Sequence, residues 1–112
     1  MGVIQAAAEA GKLAIGVDSN QNGVSPGHVL TSMLKRVDVA AYDTLMDAKN
    51  GEFTPGVENL GLAEGGIDYA MDENNKPLMT DEIVNAVEEA KKKIISGEIK
   101  VHNYEDDQSC PI

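Results

Sequence analysis

The feature that most constrains this chain is an uninterrupted apolar run, Leu13-Ala14-Ile15-Gly16-Val17, set directly behind a helical segment. A run with no polar alternation predicts a strand covered on both faces, the habit of parallel sheets. Val3 to Ala10, rich in alanine, predicts the helix, and Gly11 predicts its C-terminal cap. A helix joined to such a strand by one or two residues is the αβ half of a βαβ unit, so an α/β fold is expected. No capping side chain precedes Val3, and the strand lacks the earlier strand that a βαβ unit requires. Both features predict part of a larger fold.

Asp18 to Gly27, DSNQNGVSPG, is a dense loop of turn-forming residues just after that strand. His28 to Leu34 predicts a second strand. Val37, Ala41, Leu45 and Ala48 then fall at helical spacing, closed by Asn50-Gly51. Val57 to Leu62 alternates as a strand, and Ile67 to Met71 predicts another after the turn at Gly65-Gly66. From Thr80 to about Gly97 the pattern is helical: Thr80 as N-cap, Asp81 and Glu82 at the positive end, Lys91-Lys92-Lys93 toward the negative end. Ile83, Val87, Ala90 and Ile94 form its apolar stripe. The lysines read as a solvated helix end, and residues 105–112 read as a mobile acidic tail.

Charge narrows the partners. Nineteen acidic residues against nine basic ones give a net charge of -10, a surface that repels phosphate backbones and anionic lipid. Nucleic acid is therefore excluded as a partner, and with aromatics at 4% and no Trp there is no base-stacking platform. No apolar run approaches the ~18–20 residues of a membrane span, and neither a signal peptide nor a lipobox is recognisable. Cys110 stands alone, which rules out an intramolecular disulfide.

Three motifs suggest chemistry and fail on inspection. Gly23-Val24-Ser25-Pro26-Gly27 matches G-x-S-x-G, but Pro26 has no N–H to donate to an oxyanion, and a strand follows where a helix is needed. Gly65-Gly66 has no phosphate-loop spacing. His28 and His102 have no Glu or Cys at ligand spacing. No nucleophile–base pair can be assembled, so an enzyme is not expected, and no cofactor is called for. Asp18-Ser19-Asn20-Gln21-Asn22-Gly23 matches the first half of a calcium loop, although its twelfth position is Val29 and a strand precedes it. A divalent-cation module built on Asp18, Asn20 and Asn22 is the alternative reading of this loop.

Asp18 and Lys35 follow the first and second strands directly, and open α/β sheets bind ligands outside the carboxyl ends of their strands. A carboxylate there can accept two hydroxyl hydrogen bonds, as from a vicinal diol, while an ammonium donates to hydroxyl or ring oxygens. An ordinary Asp turn and a helix-start Lys would look the same.

AAAEAGKLAIGVDSNQN, GHVLTSMLKRVD, GLAEGGIDYAMDE and IVNAVEEAKKKIISGEI, in this order, resemble the C-terminal part of the basic membrane protein family. These are substrate-binding lipoproteins of ABC transporters and include purine nucleoside receptors; the resemblance covers about residues 2 to 104. It implies a fragment of the type I periplasmic-binding-protein fold, two Rossmann-like lobes with parallel sheets and a nucleoside in the cleft. It implies crossovers between lobes near residue 35 and at 63–66, with residues 36–62 in one lobe and 1–34 and 67–104 in the other. It implies that Asp18 holds the ribose hydroxyls, that Lys35 adds a polar contact beside them, and that the full-length parent is lipid-anchored outside the cytoplasm and serves an ABC permease. The lipobox cysteine, the first lobe and the aromatic residues that would sandwich a base have no counterpart in the sequence. Strand edges and apolar faces left open by so partial a fold predict self-association of the 112-residue product. Light scattering coupled to size exclusion should return a mass above 11.9 kDa; a compact, cooperatively melting monomer would contradict it.

Overall fold

The computed structural model describes residues 2–110. Helix α1 (Gly2–Glu9) leads into β1 (Ala14–Asp18), and β2 (Val29–Lys35) follows after a short 3-10 turn at Asn22–Val24. Helix α2 (Val37–Asn50), strand β3 (Ile67–Tyr69), helix α3 (Asp81–Ile95) and a helical turn α4 (Tyr104–Asp107) complete the chain. The sheet order is β1-β2-β3, with β1 and β2 parallel and β3 antiparallel to β2. The α/β expectation holds, with an antiparallel strand added.

Local chemistry explains the helix ends. Gly11 adopts φ 62°, and the amides of Gly11 and Lys12 return to the carbonyls of Ala8 and Ala7, closing α1 with a paired turn. Gly51 repeats this at the end of α2, at φ 78° with bonds to Ala48 and Asp47. The Thr80 side chain accepts from the Ile83 amide and caps α3, as its position predicts.

The apolar core is small. Ile4 of α1 packs on Ala14 and Val29, with Ala7 beside them; burying a side chain of the Ile or Val kind contributes about 1.5–3 kcal/mol. Full coverage of β1 is not what the structure shows. Ala14 and Gly16 are buried, whereas Ile15 (65%) and Val17 (49%) are exposed on the opposite face, beside Met33 of β2. The run is parallel-paired, but no described element covers its second face.

Other departures have local causes. Val57–Leu62 forms no strand; Val57 is exposed, and the segment beyond it coils on itself. Gly61 N donates to Glu64 Oε2, and Gly66 N donates to the Gly61 carbonyl. A Cβ at Gly66 would overlap Leu60, so the coil depends on that glycine. Lys91 is not a solvated end: its Nζ lies 2.8 Å from Asp68 Oδ1 and over the Tyr69 ring, holding α3 to β3. Tyr69 Oη adds a 2.7 Å bond to Glu88. Just ahead of the acidic tail, Asn103 caps the turn α4, and residues 111–112 lie outside the described residues.

Much of the remaining interior is polar. Ser32, Asn22 and Asn75 are fully buried. Ser32 Oγ accepts from the Gln21 amide at 2.9 Å and donates to Asn22 Oδ1 at 2.8 Å. Asn22 Nδ2 and Asn20 Nδ2 both donate to Asp72 Oδ2. Asn75 Nδ2 donates to the carbonyls of Leu30 and Ala70, and its Oδ1 accepts from the Asp72 amide. Among the described residues no buried side-chain polar atom lacks a partner.

Asn75→Ala removes the donor from two interior carbonyls, and should cost about 1–3 kcal/mol, read as a lower denaturation midpoint at unchanged slope. The hydrogen bond from Asn20, with further ones from the Asn74 backbone and Asn22, holds the Asp72 carboxyl below its usual 3.8. A depressed carboxyl stabilises the fold above its unfolded value and loses that contribution as pH falls through the folded one. Asp72→Asn should therefore melt lower than the wild type at neutral pH, and the gap should close below pH 3.8, checked by circular dichroism melts across pH.

Candidate functional site

Because β1 and β2 run parallel, their carboxyl ends reach the same rim. Asp18 is the last residue of β1 and Lys35 the last of β2. Lys35 Nζ lies 3.0 Å from Asp18 Oδ1, with both side chains well exposed. An ion pair this open is worth at most about 1 kcal/mol and yields readily to a competing ligand. Asp18 adopts φ 70°, a left-handed conformation that Asp tolerates better than most residues. It turns the chain sharply at the strand end.

The pair borders an open depression of about 540 Å³ lined by Asp18, Ser19, Leu34, Lys35, Arg36, Val37 and Asp38. Leu34 and Val37 supply apolar surface, while Arg36 grips Asp38 through two bonds, Nε to Oδ1 at 2.9 Å and Nη2 to Oδ2 at 2.8 Å. The Arg36 hydrogen bond pushes the Asp38 carboxyl down to about 2, so that pair stays charged across ordinary pH. The charged groups at this rim thus form two pairs, Arg36 with Asp38 through two hydrogen bonds and Lys35 with Asp18 through one exposed contact. The two points expected to connect lobes also lie side by side: the Arg36 amide donates to the Gly66 carbonyl at 2.9 Å, and Lys35 registers with Ile67.

The residues of the calcium reading are not gathered. Asn20 Oδ1 accepts from the Asn22 amide and Asn22 Oδ1 from Ser32, so both amide oxygens that would ligate a cation are occupied. Their amide nitrogens face Asp72, and Asp18 faces Lys35. The loop is a structural Asx turn tied to the interior, and the cation reading is not supported.

Sequence reasoning missed Ser32, Gln21 and the Arg36–Asp38 clamp. One signal for the first was present: a serine and a threonine interrupt the apolar strand VLTSML.

Residues 1–105 match the family described as ABC transporter substrate-binding protein, PnrA-like. Among curated relatives the chain is similar to an uncharacterized lipoprotein of Pyrococcus abyssi, 33% identical over 96 residues, covering 74% of this chain and 24% of the relative. It is also similar to basic membrane protein C of Borreliella burgdorferi, 31% identical over 109 residues, covering 94% of this chain and 30% of the relative. A solved solute-binding protein of an ABC transporter system from Aeropyrum pernix K1 superposes with a TM-score of 0.70 at 29% identity, over 96% of this chain and 38% of that one. A Bacillus halodurans structure described as a transcriptional activator of the comK gene superposes at 0.76 over 89% of this chain and 34% of its own; at 21% identity it shows the fold alone. The chain spans about a quarter to a third of the length of these curated relatives.

Proposed function

Because the chain belongs to the PnrA-like family of ABC transporter substrate-binding proteins, we propose that it supplies one wall of an interlobe cleft that takes a purine nucleoside. The observation that carries this is the Asp18–Lys35 pair at the carboxyl ends of two adjacent parallel strands. Asp18 Oδ2, the oxygen not facing Lys35, accepts from one hydroxyl of the ribose diol, and Oδ1 is shared between the second hydroxyl and Lys35. The pair binds and orients its ligand and breaks no bond. Residues 36–62 belong to one lobe and residues 1–34 and 67–104 to the other, with the strand ends of the second facing the ligand. Relatives named as lipoproteins and basic membrane proteins support a lipid-anchored, extracytoplasmic parent that hands its cargo to a membrane permease.

The test is calorimetric titration of inosine, guanosine and adenosine into this chain, and into a graft in which it replaces the matching 38% of the Aeropyrum pernix protein. A nucleoside should bind the graft, and Asp18→Ala should weaken it by about tenfold or more, the loss of at least one charge-assisted hydrogen bond. Equal affinity in the two graft proteins would remove Asp18 from the site.

A further inference from the structure

We propose that Ser32, which lines no part of the depression, is the positioning residue that holds Asp18 for a diol; this rests on the nucleoside reading above. Ser32 is fully buried in the middle of β2, and its one hydroxyl holds two consecutive residues of the loop that follows Asp18. It accepts the Gln21 amide and donates to Asn22 Oδ1. Fixed in this way, Gln21 turns its own side chain back, and its Oε1 accepts the Val17 amide at 3.0 Å. The Ser19 amide closes on the Val17 carbonyl at 2.9 Å. Asp18 is thus clasped between two bonded neighbours while its backbone occupies the left-handed region at φ 70°.

Gly16 makes the approach possible. A Cβ there would lie 2.7 Å from Ser32 Oγ and 2.9 Å from Gln21, too close for either to keep its place. The chain of contacts therefore runs from the Ser32 hydroxyl through Gln21 to Val17, and ends at the backbone that carries the Asp18 side chain. A carboxylate that must meet two hydroxyls at once is sensitive to small displacements, since a loose carboxylate satisfies one hydroxyl as easily as two.

Two variants separate positioning from bulk stability. Ser32→Ala removes the hydroxyl; Gln21→Ala, at a half-buried site, removes only the clasp on Val17 and keeps the interior bonds of Ser32 to Asn22. Amide hydrogen exchange on the full chain should show Val17 and Ser19 exchanging about tenfold faster in both variants, with amides of the β1–β2 ladder unchanged in Gln21→Ala. In the grafted protein, wild type should prefer inosine over 2′-deoxyinosine by about tenfold, and both variants should bring that ratio toward one. A merely structural role would lower both affinities alike and leave the ratio standing. Unchanged exchange at Val17 and Ser19 overturns the inference whatever the binding shows. Inosine binding with the wild-type ratio retained overturns it alone, leaving the nucleoside reading intact; failure of the wild-type graft to bind inosine removes that reading and this one with it.

Discussion

The rest of the structure depends on one buried hydrogen bond, from Ser32 Oγ to Asn22 Oδ1. Parallel strands ordinarily need a connection of a dozen or more residues, commonly a helix that brings its own apolar face. Here β1 and β2 are joined by residues 19–28 alone, with no more than a 3-10 turn between them. So short a connection must cross close to the sheet, and its backbone and amide groups leave water without a helix to pair them. Ser32 and Asn22, with Asp72 and Asn75 behind them, take up those groups. Once fully paired, such a network gains strength from the low dielectric around it; with one partner missing, the same dielectric makes it costly.

This explains the distribution of energy in the molecule. The apolar cluster of Ile4, Ala14 and Val29 lies on the α1 side, with Ala70 and Met79 buried apart from it, and could not by itself fix where β3 lies. That is done by hydrogen bonds: Thr31 Oγ1 and Asn75 Nδ2 converge on the Ala70 carbonyl, and the Ala70 amide returns to Ser32. Helix α3 is attached in the same manner, through Lys91 to Asp68 and Tyr69 to Glu88. The Glu88 bond holds the Tyr69 hydroxyl protonated, pushed up to about 12. Charges at the strand ends, by contrast, are exposed and only weakly committed, which suits groups that exchange one partner for another.

How much of this could be read in advance follows from the range of each signal. Gly11, Gly51 and Thr80 act within one turn of themselves, and their roles were legible from type and position. Asp18 and Lys35 were legible as neighbours because a strand's end and a parallel pairing suffice to place them; what they bind is a separate matter. Val57 to Leu62 looked like a strand because alternation is visible locally, while the partner strand it needs is not. The exposure of Ile15 and Val17 could not be foreseen for a related reason: an apolar run shows what a face would bury, not whether anything lies on it. The lysine run misled at Lys91, where an acid 23 residues away outweighed the helix end. Ser32 was hidden for the opposite reason to Thr80, since its partners lie 10 and 11 residues back, across a turn of the chain.

Gly16 carries a consequence for how this stretch of chain can change over generations. No side chain fits there while Ser32 and Gln21 hold their places, so substitution at 16 has to wait for both of them. Losing Ser32 first strands Asn22 and the Gln21 amide in the interior before any new methyl group can fill the space. The route from this arrangement to an apolar one thus descends through a less stable intermediate whichever step comes first. Three positions spread over 17 residues are bound to one another's history, and lineages that inherit the trio are expected to keep it whole or replace it whole.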